Sequence, residues 1–279
     1  MTVELFAVLF AGSLVAGALG SALGMAGGIF VVPLLTLVAH VPFPAAVAVS
    51  LVSVIACSCA SAPGFLRAGL PNLRLALVLE VFTALGALVG VLMIGLVPSP
   101  VLYGIFAAVL LVSGVQMIAG RREPVAASGT FRHPRLDGSY TNRDGEPVHY
   151  RVARLPLGMT FMFGAGTLSA LLGIGSGVLK IPAMDAAMRL PIKVSSATAN
   201  LMIGVTACGA AAAYLLAGTL DLQLAAPVVL GSLAGAVLGA QVLVRLAGSS
   251  LRIVFMVVLV ALAIPMTANA FGLEWGGVV

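Results

Sequence analysis

The chain has 279 residues, 61% of them hydrophobic and 8% charged, with a formal charge of +5 at pH 7. A soluble domain carries about 25% charged residues, so a water-soluble fold does not fit. Runs of about 20 apolar residues recur along nearly the whole length, which predicts an all-α polytopic membrane protein; a transmembrane β-barrel shows alternating apolarity instead. The positive charge calls for no nucleic acid, because surplus Lys and Arg mark cytoplasmic loops of membrane proteins.

Span 1 runs from Val3 to Gly20. It lacks a basic start and a clear cleavage site, so it is expected as a retained helix rather than a signal peptide. The Gly-rich break Gly24-Met25-Ala26-Gly27-Gly28 follows. Span 2 is short, Ile29 to Ala39, and ends before Pro42 and Pro44. Span 3 covers Ala45 to Ala62, with Pro63-Gly64 expected to stop it. Span 4 runs from Leu73 to Val97, ended by Pro98 and Pro100, and span 5 from Val101 to Ala119. Arg121 to Arg154 is rich in Arg, Gly and Pro and reads as a solvated linker with little to make a core. The later spans are Leu155–Leu172, Val178–Met188, Val194–Ala217, Leu222–Leu246 and Leu251–Ala270.

The second half repeats the first. At a fixed offset of 149, 17 of the 73 pairs from Gly20 to Leu92 are identical. Gly24, Gly28 and Pro33 fall on Gly173, Gly177 and Pro182; Pro42 falls on Pro191, Gly69 on Gly218, Gly86 on Gly235 and Gly90 on Gly239. Glycine and proline identities set backbone constraints rather than fill space. The expected division is a first membrane repeat over 1–120, a cytoplasmic linker over 121–154 and a second repeat over 155–279.

Five segments per half place 13 of the 14 basic residues on one side, leaving out only Lys180; four crossings per half would split the 13 nine against four. The positive-inside rule favours the first arrangement. An odd number per half inverts the two repeats, the architecture of secondary transporters, with the linker cytoplasmic and both termini outside. Spans 2 and 7 are short for a hydrocarbon core of about 30 Å. Full crossings and half-membrane hairpins with the preceding spans satisfy the charge count equally.

Gly-interrupted segments at matching positions of two halves point to a binding site near the midplane. Helix ends with open N–H groups favour anions. Gly24, Gly27, Gly28, Gly173, Gly175 and Gly177 are therefore candidate binding positions; close helix packing is the competing reading. Lys180 is an ionisable group inside an apolar span. It either meets substrate charge, snorkels to the interface, or pairs with Asp185 or another acid. Ser176 can donate a hydroxyl hydrogen bond beside it. Ser50, Thr198 and Asn200 either line the same cavity or act as interhelical glue. Glu80 either carries a coupled proton or pairs with Arg74, and the Arg74 pair is preferred. No His or carboxylate cluster suggests a metal, and no cofactor is expected. Cys57, Cys59 and Cys208 read as packing residues. Gly-x-Ser-x-Gly is absent, since position 174 is Ile, and there is no phosphate-binding loop of a nucleotide-driven pump.

Two such halves, with Gly24–Gly28 and Pro33, Gly173–Gly177 and Pro182, and Ala197-Thr198-Ala199-Asn200, resemble the TauE/SafE sulfite and organosulfonate exporter family, also called the toluene-sulfonate uptake permeases. The resemblance covers nearly the whole chain apart from the linker. It implies a secondary transporter, not an enzyme, exporting small sulfur-containing anions across the bacterial inner membrane. The partners it implies are a small anion such as sulfite or a sulfonate, the lipid bilayer and, as an option, a second copy of the chain. Another small anion, or an anion channel on the same scaffold, is the alternative. The chain departs from the family pattern in Val49-Ser50-Leu51, which lacks the Thr often found before Ser-Leu, and in its longer linker.

Overall fold

The computed structural model describes residues 3–119, 136–141, 147–245 and 260–268. In chain order the elements are α1 (Val3–Leu23), α2 (Gly28–Leu37), α3 (Phe43–Arg67), α4 (Leu73–Leu92), α5 (Ser99–Ala119), β1 (Gly138–Thr141), β2 (Pro147–Tyr150), α6 (Leu155–Leu172), α7 (Gly177–Pro182), α8 (Ile192–Leu216) and α9 (Leu222–Arg245). A π-helical turn, Ala183–Ala187, follows α7. Residues 260–268 are helical; the rest of the expected tenth span, and linker residues 121–135, lie outside the described residues.

Among the described residues, six helices are long and apolar enough to cross a membrane: α1, α3, α4, α6, α8 and α9. The protein is thus an all-α polytopic membrane protein. α2 has 10 residues; at 1.5 Å per residue it is about 15 Å long, half of a hydrocarbon core. α7 has 6 residues before its π turn. Length therefore supports half-membrane segments at both breaks. α3 runs on through Pro63 to Arg67, against the expectation of a stop at Ala62. One proline removes one backbone bond, and a packed membrane helix tolerates that. α4 ends at Leu92, short of the expected Val97, in turns before Ser99.

Local geometry follows the offset of 149. Pro42 and Pro191 precede the first turns of α3 and α8 with φ/ψ of −54/140 and −57/135. His40 and Arg189, at the ends of the two short segments, both have positive φ, 50° and 57°. Helix contacts follow it too, with partners exchanged: α1 packs on α9 while α4 packs on α6, and α3 and α8 pack on each other. A methyl group added at Gly86 would collide with the Phe163 carbonyl oxygen; one at Gly235 would collide with that of Leu14, and 14 and 163 differ by the same 149. Only glycine lets these backbones approach so closely.

The linker needs a correction. Among its described residues, β1 and β2 pair antiparallel, Gly138 opposite Tyr150. The hairpin sits on the membrane helices. Tyr140 packs on a cluster of Phe65, Leu70, Ala197 and Ala240. Val152 is buried, and its N–H donates to Asp137 Oδ1 at 3.0 Å. Asn72 fastens the hairpin: its Nδ2 donates to the Leu136 carbonyl at 2.8 Å and the Tyr150 hydroxyl at 3.2 Å. Its Oδ1 caps α4 by accepting from the Leu75 N–H at 3.1 Å. Burial raises the Tyr150 phenol above its ordinary pKa and the charge of Asp137 adds to this, while the Asn72 bond opposes it.

Gly86→Ala and Gly235→Ala are each expected to destabilise the protein by about 1–3 kcal/mol through overpacking. Gly164→Ala, at a helical position with nothing within 4 Å of the added methyl, is expected to leave it unchanged or slightly stabilised. Thermal unfolding in detergent micelles compares the three; equal behaviour would refute the close-approach argument.

Candidate functional site

The two breaks begin as helix ends. After α1 the Met25 N–H reaches back to the Gly20 carbonyl at 2.7 Å, and Gly24, Ala26 and Gly27 take positive φ of 77°, 54° and 78°. After α6, Gly173 and Gly175 both have φ of 65°. Left-handed residues end a helix because they turn its carbonyls aside, and glycine does so without Cβ strain. Ala26 stands where the other half has Gly175, so the first break holds a strained alanine.

The breaks touch. A methyl added to Gly28 would lie 2.9 Å from the Gly173 carbonyl oxygen, and one on Gly177 would lie 2.9 Å from Met25 Cα. Ser50 of α3 ties the contact, donating to the Gly173 carbonyl at 2.7 Å with the Gly28 carbonyl 3.3 Å away. Its counterpart in α8 is Ala199, so one hydroxyl serves both breaks. Ser176 is buried in the second break, and its Oγ has no hydrogen-bond partner. Ser21 Oγ, at the end of α1, is likewise buried without a partner.

Lys180 sits one turn past Gly177 and is 0% exposed. Its Nζ donates to Glu80 Oε2 at 3.1 Å and to Thr206 Oγ1 at 2.9 Å. Thr206 donates to Glu80 Oε1 at 2.6 Å. Three helices thus meet in one closed set: α7 supplies the cation, α4 the carboxylate and α8 the hydroxyl. Glu80 pairs with Lys180, where the sequence points to Arg74. Lys180 reaches Glu80 because α7 packs on α8 and α6, and both of these pack on α4. Of the readings for Lys180, pairing with an acid other than Asp185 is the one the structure contains.

Thr198 and Asn200 bond to a different set of groups. Thr198 Oγ1 accepts the Asn72 N–H at 3.0 Å. Asn200 Nδ2 donates to Ser61 Oγ at 2.6 Å, and its backbone carbonyl accepts from Ser58 Oγ at 2.6 Å. Both residues lace α8 to the end of α3 and the start of α4, while Asn200 Oδ1 stays buried without a partner. Thr206, Ser58, Ser61 and Asn72 were not singled out in the sequence. The signal was there for part of this set: Ser50, Ser53, Cys57 and Ser61 repeat every three to four residues, marking the inner face of α3, and Thr206 is the counterpart of Cys57 at +149.

Six long apolar helices among the described residues, around two Gly-rich breaks with a buried lysine beside one of them, mark a multi-pass membrane protein. The sulfite exporter TauE/SafE family profile matches residues 9–266, and the chain belongs to that family. It is 25% identical to the "Probable membrane transporter protein YunE" of Bacillus subtilis over 265 residues, covering 91% of this chain and 94% of that one. It is 26% identical to the "Probable membrane transporter protein YdhB" of the same organism over 223 residues, 78% of this chain and 82% of that one. No solved structure matches the chain. The family is one of transporters, so the protein is a transporter and not an enzyme.

Breaking a buried pair strands a charge in a dry interior. Lys180→Met and Glu80→Gln are each expected to lower stability by about 3–5 kcal/mol, and the double variant to lose less than the sum of the two. Unfolding of the four proteins in detergent measures the coupling. Strictly additive losses would remove the pair from the account.

Proposed function

We propose that this protein is a secondary transporter of the bacterial inner membrane that exports small sulfur-containing anions, sulfite or organosulfonates, by alternating access. The observation that carries the proposal is the direct contact of two Gly-rich helix breaks beside a buried lysine. Exchanged contacts at a constant offset support two inverted repeats, over 1–120 and 155–279, related by a two-fold axis in the membrane plane. The distribution of Lys and Arg supports a cytoplasmic linker at 121–154 and external termini. In this reading the anion lies where the breaks part, at Gly24, Gly27, Gly28, Gly173, Gly175 and Gly177. The unpartnered Ser176 hydroxyl donates to it and Lys180 supplies the positive charge. Ser50 closes the empty contact, and Thr198 and Asn200 hold the helices that frame it. Rocking of one half against the other opens the site to either side.

Helix ends, a hydroxyl and an ammonium read negative charge rather than sulfur, so another small anion is the second reading. Counterflow in proteoliposomes loaded in turn with sulfite, methanesulfonate, taurine, sulfoacetate and acetate separates the two. Saturable exchange confined to the sulfur oxyanions is expected, with the rate at least about tenfold lower in Ser176→Ala, where about 1.4 kcal/mol of binding is lost. Equal exchange of acetate would favour the second reading, and flux without saturation or counterflow would indicate a channel.

A further inference from the structure

We infer that Glu80 is an internal competitor for the anion's cation, so that an anion binds Lys180 only together with a proton on Glu80. This rests on the reading of Lys180 as the anion-binding group.

An ammonium has three donors. Lys180 uses two, on Glu80 and Thr206, and has no third partner among the described residues. The carboxylate is held at both oxygens, by Lys180 at Oε2 and by Thr206 at Oε1. The empty set is therefore neutral and closed. Adding a monovalent anion beside Lys180 while Glu80 stays ionised brings two negative charges to one cation in a buried site. At a separation of about 5 Å and an effective dielectric of about 20, their repulsion weakens binding on the order of a hundredfold. Protonating Glu80 removes the repulsion and frees Lys180; the proton then sits on the carboxyl and Thr206 keeps its bond as donor or acceptor. By linkage, the anion tightens proton binding by the same factor.

Other charges do not supply this function. α6, which packs on α4, contains no titratable residue. Those of α8 are Lys193, Cys208 and Tyr214; Lys193 lies 13 residues before Thr206, about 20 Å along the helix. Cys208 is exposed, and Tyr214 is two turns beyond Thr206. Arg74, on α4 itself, makes contacts of its own. Asp185, in the π turn after α7, does the same. The set also occurs once. At an offset of 149 the counterparts of Lys180, Thr206 and Glu80 are Val31, Cys57 and Val229, none of them charged. One switch in a doubled scaffold sets a limit of one proton per anion, and a monovalent anion that moves with its proton moves without net charge.

The test uses the wild-type protein in proteoliposomes with methanesulfonate, whose sulfonate does not titrate near neutral pH, and with sulfite as a second probe. Entry of methanesulfonate down its gradient is expected to carry protons one for one, read by a trapped pH dye, and to be indifferent to an imposed potassium diffusion potential. Its dissociation constant is expected to rise with pH, approaching about tenfold per unit. In Glu80→Gln the proton flux disappears and the pH dependence flattens. Methanesulfonate then raises the unfolding temperature of that variant more than that of the wild type, since the anion replaces the lost counter-charge. Anion flux that moves no protons and follows the potential would overturn the inference while leaving the anion transporter standing. Absence of exchange with either probe would overturn both. Should Glu80→Gln fail to fold, the wild-type proton flux decides alone.

Discussion

Backbone polar groups cannot be left open in hydrocarbon, and this one requirement governs the molecule. Two chain breaks inside an apolar bundle expose such groups. They are tolerated because each break buries itself against the other, Gly28 on Gly173 and Gly177 on Met25. The Ser50 hydroxyl takes up the Gly173 carbonyl. The short lengths of α2 and α7, the need for glycine where the breaks touch and the inward stripe of serines on α3 all follow from closing that contact.

The scaffold is nearly symmetric but its chemistry is not. The same helix pairs meet in both halves, and the same prolines and left-handed residues turn the chain. Yet the buried ion pair occupies one side, facing Val31, Cys57 and Val229 on the other. Ser50 has no hydroxyl counterpart at Ala199, nor the fastening residue Asn72 at Asp221, which instead caps the start of α9. The frame is doubled, while the polar groups set into it are single.

Much of this was legible in the sequence because it is written in backbone constraints. Gly24, Gly28, Pro42 and Gly69 reappear 149 residues later, and each marks a break, a helix start or a helix end in the structure. Lys180 stood out because a charge in an apolar run is conspicuous. Its partner was hidden. Arg74 is near Glu80 in sequence, but Lys180 is 100 residues away and is brought to it by α8 and α6, on which both α7 and α4 pack. Thr206 has no local signature either; its one mark in the sequence is its correspondence to Cys57, 149 residues earlier. The hairpin at 138–150 was missed because short strands in an Arg- and Gly-rich stretch bury little of their own surface; they are ordered by Asn72 and by the helix ends beneath them.

The exchanged pairing of helices has a consequence for how the chain is made. α1 has its main partner in α9, whose last residue lies 222 positions beyond the end of α1. At about 5–20 residues per second, ribosomal synthesis separates the two by about 10–45 s. Through that interval the glycine-lined face of α1 has lipid or the insertion machinery for a neighbour, and α4 waits in the same way, though more briefly, for α6. Neither half can close its own break meanwhile, since each break is covered by the other. Assembly is therefore a late event in biogenesis, completed when the final helices arrive, and a chain truncated before α9 would leave α1 without its chief contact however well its own helices had inserted.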